Sequence, residues 1–471
     1  MSRNNSSIRY FSGIHSTVEI SRVYYVIGSC LSCAKGVHFD PMKLLKVFVL
    51  LGCVVFAETL VPVMDLVKLA DQNSLQIQIA QNKLGVAQAQ TDQAWSTIWP
   101  KLTLTGGYNR MDSYSLRSLG APSLMDAYTE KLQLNQILWN GSALTAIGVS
   151  DYGLVAAQAQ YNAAKEDTYL GILNLAFSII QTQKNLDVLI ESKKQLQGLY
   201  DKVVELQKNG LATRIDVLRT KANLAGLNVS IIDLRNAIEG QYNTLEMLVN
   251  APLPSRSVDG QIIETLYKNF PVPSKVEVST VLEKRYDYVQ LKNTVKLMDA
   301  NVDIARWSGL PSVMFVGSYG YQGTTGFNFN DSNRDWLLGV NASWSFMDFG
   351  TTEGKVKETD NTAAQMRKQL EQLKRSIAND LDSLQLSLKA TYDKIDAISE
   401  EVQANADAYE LMNSRYVLGE VTNLELLDAH TQLLTAKKKL VEAKIEYAGL
   451  ALKWMKANGT LIPYIKKEAG L

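Results

Sequence analysis

Gly210-Leu211-Ala212-Thr213-Arg214-Ile215-Asp216-Val217-Leu218 and Gly419-Glu420-Val421-Thr422-Asn423-Leu424-Glu425-Leu426-Leu427 are one stretch written twice, 209 positions apart. A second pair keeps the same spacing: Gln136-Ile137-Leu138-Trp139-Asn140-Gly141 and Ser345-Phe346-Met347-Asp348-Phe349-Gly350. Trp99-Pro100-Lys101-Leu102 is answered by Leu310-Pro311-Ser312-Val313. The order of parts is the same in both halves: helix, Pro, strand, loop, strand, Gly, long helix, Gly, helix. A duplication this long means one supersecondary plan used twice, with the copies side by side as equivalents. The repeats are read as 58–257 and 276–461, with a connector over 258–275 and a short basic tail over 462–471 that the pattern does not assign.

Proline is absent from 123 to 251 and from 312 to 462. Interior proline breaks a helix, so these gaps suit very long ones. Leu175, Ile179, Thr182, Leu186, Leu189, Lys193, Leu196, Tyr200 and Val203 alternate steps of four and three, a coiled-coil seam with polar interruptions. Met366, Leu370, Leu373, Ile377, Leu381 and Leu384, then Ile395 and Ile398, also keep to steps of three and four, apart from the gap between Leu384 and Ile395. Helices over 141–208 and 352–417 follow, each about 100 Å long at 1.5 Å per residue. Gly210 and Gly419 stand where a helix ends in a left-handed residue. Thr213 and Thr422 can cap return helices over 212–250 and 421–458.

The strand candidates lie at the opposite ends, over 101–112, 127–139, 312–322 and 336–348. Leu102, Leu104 and Tyr108 alternate with Thr103, Thr105 and Asn109; Leu338, Val340, Ala342, Trp344 and Phe346 alternate with Gly339, Asn341, Ser343 and Ser345. Strands of about 10 residues with one apolar face match the wall of a membrane barrel, although a soluble sheet also alternates. Four strands cannot close such a barrel, whose smallest form has eight. Open edges are not tolerated in lipid, so several chains would have to share one barrel. Three chains give 12 strands above a ring of helices.

Residues 42–57 carry Lys43 and Lys46, then the apolar run Val47 to Phe56, then Val55 and Ala57 as small residues before a cleavage point. This is the pattern of a secretory signal peptide cut before Glu58. Because it starts at Met42, residues 1–41 are read as a mis-called extension. Cys30, Cys33 and Cys53 all precede the cut. Cys53 follows a loose lipoprotein box, so lipidation there stays open. Cleavage would remove six of the 48 basic and two of the 48 acidic residues, leaving 42 against 46 and a net charge of −4. That balance argues against a nucleic-acid partner, which needs a basic face. Past residue 57 no apolar run reaches 18 residues, so no transmembrane helix is expected.

Little here points to catalysis. His430 is the one histidine past residue 57 and reads as a packing or surface residue. Without cysteine a His/Cys zinc site is excluded, and no cofactor is implied. Gly317, Gly320, Gly323 and Gly326 lack the Gly-Lys-Ser/Thr of a phosphate loop and read as small residues in a strand. Lys437-Lys438-Lys439 reads as a solvated helix face.

Together the doubled entries at Gly141 and Gly350, and the run from Tyr416 through Gly419 to Asp428, resemble the TolC family of outer-membrane efflux proteins. The resemblance spans Glu58 to about Leu461. It implies a homotrimer with a 12-stranded outer-membrane barrel continuous with a periplasmic helical tunnel. It further implies a passive duct for efflux or type I secretion, working with a periplasmic adaptor and an inner-membrane pump and gated at its periplasmic tip. Carried over residue by residue, Tyr416 matches the gating aromatic and Asp216 the acid it hydrogen-bonds. Glu425 and Asp428 match the acidic pair at the entrance. Where the family often has an arginine, this chain has Val421; Arg214 is the nearby substitute. Glu425 and Asp428 are i and i+3, so they share a helix face. Threefold symmetry would then ring the opening with carboxylates, which favours cations, including blocking divalents, and raises some of their pKa values. The plain alternative for that pair is a solvated helix face. The alternative for the whole chain is a structural coiled-coil protein of the periplasm or cell surface.

Overall fold

The computed structural model describes residues 60–112, 124–324, 326, 327 and 329–470. The extension over 1–41, the signal peptide over 42–57, Cys53 and part of the first inter-strand loop lie outside the described residues. Residues from Leu60 onward form one unit, which among the described residues is mostly helical with a single small sheet.

The elements in chain order are helices α1 (Val63–Asn73) and α2 (Leu75–Ser96), strands β1 (Lys101–Asp112) and β2 (Leu124–Trp139), and helices α3 (Gly141–Lys208) and α4 (Arg214–Val249). After a connector carrying α5 (Gln261–Asn269) and α6 (Val278–Leu282) come α7 (Tyr286–Trp307), β3 (Ser312–Gly323) and β4 (Arg334–Ser343). Helices α8 (Thr351–Val417), α9 (Asn423–Ala457) and α10 (Leu461–Ala469) close the chain. Helix α3 has 68 residues and α8 has 67. Neither could bury its stripe alone. At the sheet end α3 lies between α2 and α7, with α8 beyond α7; at the far end α3 lies between α4 and α9, with α8 beyond α9.

Three apolar clusters hold this array. The first gathers Leu66, Val67 and Ala70 of α1 with Leu173 and Phe177 of α3 and Leu245 of α4. The second joins Ile377, Leu381 and Leu388 of α8 to Tyr447 and Trp454 of α9. The third, near the far end, contains Leu196, Leu199, Val203, Tyr416, Leu426 and Leu427. Seam positions Ile179, Leu189, Leu196, Val203, Ile377, Leu381, Ile395 and Ile398 are buried.

Three expectations need correction, and the unassigned tail takes a definite form. Strand β4 stops at Ser343 rather than running to 348, because its partner β3 begins opposite, at Ser312, just past the donor-less Pro311. Trp344 instead donates its Nε1–H to the Gly309 carbonyl at 3.0 Å. The connector, which Pro271, Pro273 and Asp259-Gly260 suggest is irregular, is partly regular. Helix α5 buries Ile263 and Leu266, and Val61 pairs with Val258 as a bridge. The tail is an amphipathic helix, with Leu461, Ile462, Ile465 and Ala469 buried while its lysines face out. The return helices begin at Arg214 and Asn423, not 212 and 421, since Thr213 and Thr422 are their N-caps.

Candidate gate and membrane face

The sheet is antiparallel in the order β1-β2-β3-β4. Its register puts Leu102 beside Leu134, Leu134 beside Gly317, and Gly317 beside Leu338. The next row is Leu104, Leu132, Tyr319 and Trp336. Directly paired residues point to the same side, so these rows form one apolar face across all four strands. It has no cover: Leu104 is 79% exposed and Leu338 67%. The other face is mostly polar: Thr103, Gln133 and Ser318 share a row with Leu337, and Lys131 lies with Asp335, 2.6 Å apart, in the next. Gly320 lies between those two, where a Cβ would sit 2.0 Å from the Glu130 carbonyl. Aromatic contacts bracket the apolar rows. Tyr108, Tyr128 and Phe327 meet at the loop end, while Trp139–Trp307 and Trp344–Phe346 meet at the helix end.

The two strand-to-helix glycines serve different ends. At Gly141, the first residue of α3, a Cβ would lie 2.4 Å from the Trp307 ring, so the requirement is close packing. Asn140 caps that helix by accepting from the Ala143 N–H at 3.1 Å. Gly350 caps α8 at φ +91° with open space around it, so the requirement there is conformational. Asp348 accepts from the Gly350 and Thr352 N–H groups, and the Thr352 hydroxyl first, then those backbone bonds, hold it below the usual carboxylate range.

At the far end both long helices stop in the same way. Gly210 and Gly419 each adopt φ +76°. The Leu211 N–H reaches the Leu206 carbonyl and the Gly210 N–H reaches Gln207. Glu420 to Arg415 and Gly419 to Tyr416 repeat the pattern, a Schellman termination in both halves. The return helices then open with twin capping boxes. Asp216 accepts from the Thr213 N–H at 3.0 Å and hydroxyl at 2.6 Å. Glu425 accepts from the Thr422 N–H at 2.8 Å and hydroxyl at 2.9 Å. Asp216 and Glu425 are thus counterparts, 209 positions apart, and each spends its carboxylate on its own helix start. Those bonds hold the Glu425 carboxyl below its ordinary range.

Tyr416, in the last turn of α8, is 8% exposed and packs in the third cluster. Burial first, and the Asp216 charge second, push its hydroxyl up. The two side chains share the lining of a cleft of about 310 Å³ with Leu206, Leu211, Val421 and Asn423. The geometry brings Tyr416 and Asp216 together, while the hydrogen bonds of the Asp216 carboxylate go to Thr213. Arg214 and Glu425 are exposed, as is Asp428, which accepts from Gln432 at 2.7 Å. Val421 is half-buried.

Two residues escaped the sequence reading. Asn423 is 3% exposed and Thr220 is fully buried. The Asn423 Nδ2 donates to the Asp216 carbonyl and to the Thr220 hydroxyl, both at 3.2 Å, which ties the start of α9 to the start of α4. No local signal marks Asn423, since its burial depends on two helix starts meeting. The capping boxes were legible as Thr-x-x-Asp and Thr-x-x-Glu.

His430 is 5% exposed, with Nε2 3.0 Å from the Ser192 hydroxyl and its ring against Tyr409. It is a packing residue, and burial lowers its pKa. Lys437 and Lys439 pair with Glu191 of α3 and Glu401 of α8, so the lysine run pins α9 between the long helices. Among the described residues no group of three or more His, Cys, Asp or Glu could hold a metal ion, and no helix is long and apolar enough to cross a membrane.

The family model described as "Outer membrane efflux protein" matches residues 66–251 and 278–451. Outer membrane protein TolC of Vibrio cholerae is 23% identical over 433 residues, covering 89% of this chain and 96% of that protein. Outer membrane protein TolC of Escherichia coli is 23% identical over 384 residues, covering 79% and 76%. The crystal structure of the outer membrane protein VceC from Vibrio cholerae superposes with a TM-score of 0.75 at 20% identity, covering 84% of this chain and 96% of that one.

Proposed function

This chain belongs to the outer membrane efflux protein family, and on that premise we propose that three copies close into one passive export duct through the outer membrane and periplasm. The observation that carries the reading is that the fold is open at both edges at every level. Strands β1 and β4 are the outer strands of the sheet. Helices α2 and α8 are the outer helices beside it, and α4 and α8 the outer helices at the far end. Each level presents two different edges, so copies join head to tail and close into a ring. Two copies would give eight strands, an interior that side chains fill; three give twelve and leave a lumen. Ile215, Leu218, Ala222, Ala225, Val229 and Ile232 form an exposed stripe on α4 at steps of three and four, the seam for α8 of the next copy. The two halves of the chain act as structural repeats within that ring.

The uncovered apolar sheet face with its flanking aromatics suits lipid, and the polar face suits a water-filled lumen. The duct sits in the outer membrane with its helices in the periplasm. It has no catalytic site and works with a periplasmic adaptor and an inner-membrane pump. Its tip is the gate, with Tyr416 and Asp216 as the latch between α8 and α4. Glu425 and Asp428 ring the entrance; the lowered Glu425 pKa supports a charged ring at neutral pH. Single-channel conductance of the purified protein in a planar bilayer, with its mass measured in parallel, tests this. A trimer passing a small cation-selective current, blocked by a divalent ion on the periplasmic side, supports the duct. A monomer, or a folded trimer that never conducts even with its tip residues replaced, favours a structural coiled-coil protein.

A further inference from the structure

Glu166 on α3 is 6% exposed and has no hydrogen bond or ion pair among the described residues. It faces a cleft of about 110 Å³ at the joint where α3, the entry to α7 and the end of α9 meet. The charged and titratable groups facing it are Asp167 of its own helix, Arg285, Tyr286 and Asp287 at the entry to α7, and Lys456 of α9. Both cations are committed elsewhere. Arg285 grips Asp287 through Nη2 at 2.6 Å and Nε at 3.0 Å, and Lys456 holds Asp167. Three carboxylates therefore share two cations, and Glu166 is the one left over. A buried carboxylate without a partner is costly in its ionised form and cheap in its neutral one.

We propose that Glu166 is a proton-binding switch at the joint between the two halves of the chain. With its proton, it packs as a neutral acid and leaves Lys456 on Asp167. Without it, the carboxylate draws Lys456 away from Asp167, the neighbouring residue on α3. The exchange loosens the end of α9 from its seat. That seat is close: the turn at Gly459 presses on Lys284, where a Cβ would come within 2.6 Å, and Arg285 donates to the Ala457 carbonyl at 3.4 Å. Burial raises the Glu166 pKa from 4.5 to about 7, with the Lys456 charge pulling the other way. Because the folded value lies above the unfolded one, the stabilisation is complete below about 4.5 and is lost as pH rises through about 7. The joint is tighter in acid than at neutral pH.

The test is thermal unfolding of the full-length protein in detergent across pH 4 to 9, for the wild type, Glu166→Gln and Lys456→Gln. Glutamine imitates the protonated acid, so the wild-type Tm should fall relative to Glu166→Gln between about pH 4.5 and 7 and run parallel above that. Lys456→Gln removes the charge that favours ionisation, so the same fall should end at a higher pH. Parallel wild-type and Glu166→Gln curves throughout would overturn the proposal. Should Glu166→Gln not fold, the displacement in Lys456→Gln still decides, and a fall that does not move overturns the exchange.

Discussion

Replacing Asn423 with alanine should bias the tip towards its open state. The side chain makes two hydrogen bonds across the hairpin boundary, to the Asp216 carbonyl and the Thr220 hydroxyl, both at 3.2 Å. Each such bond contributes about 1 kcal/mol net. Burial is nearly complete at both ends, so solvent does not replace them in this arrangement. Thr220 keeps its bond to the Asp216 carbonyl at 2.9 Å, so the backbone acceptor is not orphaned. The loss is therefore about 2 kcal/mol. If opening separates the α3/α4 hairpin from α8/α9, the closed state alone loses these bonds. At 1.4 kcal/mol per tenfold, the ratio of open to closed should rise about 30-fold. The assay is the open fraction in single-channel records, with trimer content checked on the same sample. Thr220→Val removes one partner at nearly constant volume and should reproduce part of the effect. Combined with Asn423→Ala it should add less than the sum of the two. An open fraction unchanged in intact Asn423→Ala trimers would refute the link between this bridge and gating.

Further outcomes follow from other sites. Tyr416→Phe with Asp216→Ala should raise the resting current, whereas Thr213→Ala, which removes only a cap, should cost about 1 kcal/mol of stability and leave the current alone; equal leakage from both would put the effect in helix capping. Gly141→Ala should lower stability by about 1–3 kcal/mol through its clash with Trp307, and Trp307→Leu should relieve much of it, as read from melting curves. His430 is buried neutral with a pKa below its ordinary 6.5, so its stabilisation is present above about 6.5 and is lost as pH falls below it. The wild-type Tm should drop in mild acid more steeply than that of His430→Gln, and matching slopes would contradict this.

Several features were legible because they depend on neighbours in the chain. The glycines at 210 and 419 announced helix ends, since a left-handed residue favours glycine wherever it occurs. The threonine caps, the seam periodicities and the two-residue alternation of the strands were readable for the same reason. The doubling was readable because it needs only comparison of the chain with itself. Other features depend on what a residue meets. Strand β4 ends at Ser343 because β3 has no residue to pair beyond Ser312, and Trp344 and Phe346 keep alternating past that point. Helix α10 is amphipathic yet short, and it holds only because a groove receives Leu461 and Ile465.

The sequence by itself determined the helix and strand plan, its duplication, the glycine-marked turns and the threonine caps, all set by local sterics and periodicity. Only the tertiary structure decided that rows such as Leu104, Leu132, Tyr319 and Trp336 make one unbroken apolar face, because register depends on pairing between distant strands. It also decided that Asn423 bridges two helix starts, and that Glu166 is buried with no cation of its own. Those outcomes rest on which polar groups are brought together once water is excluded, and burial and partnership are properties of the packed array rather than of any one stretch.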